Sequence, residues 1–90
     1  MRQVASVAHL NGWLTYHTHD SRHSAAGFPD LVCAKPKAPV LFLELKALGG
    51  TLGPDQQVWR DVLRRSKGAV YLTVYPDDWQ TVVDVLEMAW

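Results

Sequence analysis

Asp30, Glu44 and Lys46 are the residues of this chain whose types and spacing could do chemistry. They lie in GFPDLVCAKPKAPVLFLELK, residues 27 to 46, where Asp30 opens one apolar run and Glu44 and Lys46 close the next. Side chains alternate along a strand, so Glu44 and Lys46 share a face with Val40 and Phe42, while Leu41, Leu43 and Leu45 face the other way. If KPKAP is a five-residue loop, Ala34 faces Val40 and Asp30 stands opposite Glu44, roughly 5 Å away at Cβ. Opposed like charges destabilise a sheet, so such carboxylates either share a proton or hold a cation. Oxygen ligands suit a hard cation, Mg²⁺ or Mn²⁺, with a backbone carbonyl and waters completing the shell. A cation there would lower the pKa of a water and neutralise phosphate oxygens, while the Lys46 ammonium stabilised charge growing in the transition state. A solvated strand end is the bland alternative. Three features count against it. Both strands are otherwise apolar on both faces, Glu-Leu-Lys lies at the carboxyl end of its strand, where α/β sheets build sites, and a Gly-Phe-Pro turn delivers Asp30.

The elements that must position these residues follow from periodicity. Val4, Val7 and Ala8 have helical spacing within residues 3 to 11, and Gly12 stops that helix. WLTYHT, 13 to 18, suits a short strand, and HDSRHSAAG, 19 to 27, a loop. Strands are expected at 30 to 34 and 40 to 46. Pro54 fits the first turn of a helix with an apolar face of Val58, Trp59, Val62 and Leu63, ended by Gly68. AVYLTVY, 69 to 75, is a strand stopped by Pro76. Asp77 and Gln80 resemble a capping box for a last helix with Trp79, Val82, Val83 and Leu86 inside. The order α-β-β-β-α-β-α, with a crossover from residue 46 to 69, predicts an α/β sandwich. Its sheet is mixed, antiparallel at first and parallel after Lys46.

Composition sets the outer bounds. Ninety residues make one small domain, 1 to 90, and not two. Nine Lys and Arg balance nine Asp and Glu. A nucleic-acid partner would therefore meet clustered charge, or charge doubled by oligomerisation. The lone Cys33 excludes a disulfide framework and a Cys-rich zinc site, and reads as a buried thiol in a reducing cytosol. No apolar run approaches a membrane span of about 18 residues. MRQVASVAHL has no signal-peptide core. A soluble, intracellular protein is expected.

The Pro-Asp at 29 and 30 followed by Glu-Leu-Lys at 44 to 46 resembles the signature of the PD-(D/E)xK nuclease superfamily. In context the chain is closer still to the VRR-NUC family, through YHTHDSRHSAAGFPDL, LFLELK and LGPDQQVW, in order, over roughly residues 3 to 79. The resemblance implies a restriction-endonuclease-like α-β-β-β-α-β core, here with a mixed sheet and a C-terminal helix. It implies a metal held by Asp30, Glu44 and the backbone carbonyl of Leu45, with Lys46 positioning or activating the attacking water or stabilising the transition state. Gln56 matches a family glutamine associated with the site. Stand-alone members are bacterial or phage-encoded, and the implied function is a divalent-metal-dependent, structure-selective DNA endonuclease of the bacterial cytoplasm. It would act as a homodimer on branched DNA, a four-way (Holliday) junction or a flap. Many relatives carry an acidic residue near the start of the first helix, whereas residues 1 to 12 here contain no Asp or Glu. That departure bears on metal affinity and motivates a competing reading, a catalytically impaired DNA-binding module of the same fold. A third reading is a phage structural protein that keeps only the fold.

Other groups carry weaker signals. Arg60 and Arg64, four apart on a helix with Arg65 and Lys67 behind, form a stripe able to contact phosphates. They read equally well as a solvated face partly neutralised by Asp61. In the resemblance, Arg22 and His23 lie in a loop beside the site and are expected to touch phosphate, against a plain solvated loop capped by Ser21. His9, His17, His19 and His23 lack a third ligand at a standard zinc spacing. Trp13, Trp59 and Trp79 read as core residues rather than base-stacking platforms. Trp90 hints at an interface, and the helix at 78 to 89, apolar over a wide arc, offers a surface for a second copy.

Overall fold

In a computed structural model describing residues 2–18 and 24–90, the chain begins with α1 (Arg2–Leu10). The hairpin strands β1 (Leu14–His17), β2 (Leu31–Ala34) and β3 (Val40–Leu45) follow. Then come α2 (Pro54–Arg64), β4 (Ala69–Val74), a 3-10 turn at Pro76–Asp78, and α3 (Trp79–Glu87). The order and the α/β class are those read from periodicity. The strands lie in the order β1-β2-β3-β4. β1 with β2 and β2 with β3 are antiparallel, and β3 with β4 is parallel. The parallel pair exists because α2 carries the chain back across the sheet before β4 begins.

The main core forms on one face of the sheet. Leu31, Cys33, Leu41, Leu43 and Val74 meet Val4 and Ala8 of α1 and Val82 and Leu86 of α3. Burial without a charged partner pushes the Cys33 thiol up to about 11, so it stays protonated. Trp13 fastens the layer. Its indole N–H donates to the Leu86 carbonyl at 2.9 Å, and the Lys35 ammonium lies 4.6 Å from its ring centroid. Gly12 ends α1 with φ at +85°, a conformation that costs glycine little.

On the opposite face α2 packs over β4, and Leu63 is its buried residue. The apolar arc read for this helix is wider than the arc it buries. Val58 is 62% exposed and Val62 55%, because the sheet under α2 is narrow and most of its β1 side lies open. Two further readings are corrected. The residue that folds back at the turn before α3 is Asp78, accepting the Tyr75 N–H at 2.9 Å, rather than Asp77. Gln80 instead donates to Asp84. Trp79 is 41% exposed and is no core residue: it stands at the first turn of α3, on the face of Val82 and Leu86 but beyond the layer that covers them. No described helix is long and apolar enough to cross a membrane.

Candidate active site

The β2–β3 register decides whether the hairpin charges meet. Leu31 pairs with Leu43, Val32 with Phe42 and Cys33 with Leu41. The five-residue loop therefore has the length expected of it, and the same register carried one step on sets Asp30 against Glu44. β1 adds the next rung, with the Thr18 N–H donating to the Asp30 carbonyl at 3.0 Å. The Asp30 carboxylate is pinned in turn, its Oδ2 accepting the Leu45 N–H at 2.8 Å.

The loop before Asp30 is locked to α2. Gly27 has φ at +79°, and a Cβ there would lie 2.4 Å from the Asp55 carbonyl carbon. Only glycine lets the loop cross the helix so closely. The Trp59 indole N–H donates to the Ala26 carbonyl at 3.1 Å, and the Phe28 ring stacks edge-on against Trp59 and Phe42. Asp30 thus enters the strand from a turn fixed on three sides.

Glu44 is 2% exposed, the buried charged residue of the described chain. Its Oε1 accepts from the Gln56 amide at 3.1 Å, while its Oε2 is buried with no hydrogen-bond partner. Burial, and then the neighbouring Asp30 carboxylate, push the Glu44 carboxyl from 4.5 up to about 8, with Lys46 pulling the other way. Lys46 follows on the same side, its Nζ donating to Gln56 Oε1 at 2.9 Å.

Gln56 owes this position to the start of α2. It is the third residue of the helix, behind Pro54, and its Oε1 also accepts the N–H of the N-cap residue Gly53 at 2.8 Å. One half of a capping box therefore aims the same amide at Glu44 and Lys46. Gln56 thus touches both Glu44 and Lys46. Spacing alone could not have found this contact, because it depends on how α2 docks. The GPDQ helix-start signal was visible all the same.

Of the basic residues, Arg60 donates to Asp61 at 2.8 Å, a pair that raises the arginine and lowers the carboxyl. Arg64 lies 5.8 Å from the Tyr71 ring centroid. Arg22 and His23 lie outside the described residues, as do His19 and Ser21. His9 bonds Thr15 at 2.8 Å. Among the described residues no group of three or more His, Cys, Asp or Glu side chains comes together for a metal. The carboxylate set at the hairpin is therefore Asp30 and Glu44.

The family model for the VRR-NUC domain matches residues 3–74. No curated protein and no solved structure matches the chain. A VRR-NUC domain implies nuclease-type activity, with DNA as substrate. The match runs from α1 to the end of β4 and takes in Asp30, Glu44, Lys46 and Gln56. The chain belongs to the VRR-NUC domain family.

Proposed function

We propose that the chain is a divalent-metal-dependent endodeoxyribonuclease, selective for branched DNA such as a four-way junction or a flap and acting as a homodimer. The observation that carries this reading is the facing of Asp30 and buried Glu44, whose Oε2 finds no donor in the protein unless the two carboxyls share a proton. A buried carboxylate oxygen without a partner is costly in a finished core and natural in a ligand awaiting a cation. The donor set fits Mg²⁺ or Mn²⁺: two carboxylates, with the Leu45 carbonyl as the third protein oxygen. When bound, such a cation supplies a lowered water pKa and neutralises phosphate oxygens.

The chain's own residues do the rest. The Leu45 N–H holds Asp30 in place. Gln56 keeps Glu44 and Lys46 from collapsing onto each other by standing between them. Lys46 offers its ammonium to the negative charge that grows as water attacks phosphorus in line, with no covalent intermediate. Arg60 and Arg64 lie one turn apart on α2 and meet phosphates; Arg22 and His23 are proposed for the same role on the family resemblance alone. Two copies would set two sites on two strands, which suits a four-way junction. Exposed Met88 and Trp90 support a second copy at the end of α3.

One observation favours a second reading, a DNA-binding module with impaired catalysis. α1 brings no acid in its first turn, so among the described residues the site has two carboxylates and no third acid from the helix. A panel of linear, flapped and four-way DNA with Mg²⁺ or Mn²⁺ separates the two. Cleavage that prefers branched substrates is expected. Tight junction binding with no cut strand in either metal would establish the impaired module instead.

A further inference from the structure

A cavity of about 520 Å³ opens at the carboxyl ends of β3 and β4. Its walls are mainly apolar, formed by Leu45, Val74, Tyr75 and Trp79, and Lys46 closes one side. The Asp30–Glu44 pair lies on the α2 side of the sheet. The cavity lies on the side of α1 and α3, and Lys46 belongs to both. The volume is of the order taken by small-molecule sites. The Trp79 indole is part of the wall and 41% exposed, and its N–H has no hydrogen-bond partner among the described residues.

We propose that this cavity receives a nucleobase of the DNA strand whose phosphate lies at Lys46, stacked on Trp79. The proposal rests on the nuclease reading for its choice of ligand. A phosphate held at Lys46 carries nucleosides on both sides, and Lys46 borders both the carboxylate pair's side and this cavity, so a neighbouring base has a short path to it. An apolar slot with an exposed indole takes the π-face of any base, without reading its identity. A base drawn into the slot leaves its own stack, which costs least at a branch point or in a single strand. The cavity would thus favour the unpaired or strained nucleotides that branched DNA offers.

The test uses binding without cleavage. A short fluorescein-labelled oligothymidylate and an abasic strand of the same length are titrated with protein in EDTA and followed by anisotropy. Wild type is expected to bind the oligothymidylate about 5- to 150-fold more tightly than the abasic strand, the range for stacking one base on an aromatic ring. Trp79→Ala should lose that preference with its abasic affinity unchanged, and Trp79→Phe should keep most of it. Equal binding of both strands by wild type, or a preference that survives Trp79→Ala, overturns the proposal. Cleavage in Mg²⁺ is scored separately. A base preference that needs Trp79, in a protein that never cuts, leaves the slot standing and fails the nuclease reading. Cutting with no such preference does the reverse.

Discussion

Gln56 holds two ionisable groups with one amide, its oxygen toward Lys46 and its nitrogen toward Glu44. Replacing it with alanine removes the spacer and half of a helix cap together. Gln56→Ala is expected to slow cleavage about 10- to 100-fold, as loss of a group that orients metal ligands does. It should also cost about 1 kcal/mol of stability, as other lost caps do, and parallel cleavage assays and urea melts check both. Glu44 gives a second prediction. Its folded pKa of about 8 exceeds the ordinary 4.5. Between those values the metal-free fold keeps a proton that the unfolded chain has released. Stability contributed by that proton is complete below about 4.5 and is lost as pH rises through about 8. A divalent cation takes the proton's place, so Mg²⁺ should raise the melting temperature more at the alkaline end than at the acid end. Glu44→Gln should flatten both responses, and melting curves in EDTA and in Mg²⁺ across this range check it.

At the scale of elements, the site depends on a loop that packs against a helix as much as on the hairpin. Gly27→Ala puts a methyl group 2.4 Å from the Asp55 carbonyl carbon at a positive φ, so either α2 or the turn before Asp30 must move. A loss of about 2 kcal/mol or more is expected, with cleavage falling further than stability alone explains. Urea denaturation alongside cleavage rates measures both. This scale also divides what the sequence could and could not reveal. The five-residue KPKAP loop and the period of two gave the register, hence the facing of Asp30 and Glu44, because those are local rules. The close approach of Gly27 to Asp55 joins residues far apart in the chain, and no local pattern encodes it. The exposure of Val58, Val62 and Trp79 departs from the helical pattern for a related reason. Periodicity reports that a helix has an apolar arc, but tertiary packing decides which part of the arc is covered.

At the scale of the whole molecule, equal numbers of acidic and basic residues leave no global field to draw DNA. Binding would then rest on clustered local cations, or, if the proposed dimer forms, on a second copy that doubles them. Met88 and Trp90 lie exposed just beyond α3. Sedimentation is expected to show a dimer that Trp90→Ala shifts toward monomer, with paired cuts on a junction giving way to single nicks. A wild-type monomer making paired cuts would contradict this. The central claim concerns one cluster, Asp30 and Glu44 with Lys46 beside them, and its most direct test is the Lys46→Ala variant. Cleavage of a four-way junction in Mn²⁺ is measured for wild type and Lys46→Ala, both confirmed folded. Wild type is predicted to cut, and the variant to bind the junction without cutting it. Cleavage by Lys46→Ala at the wild-type rate would contradict the account.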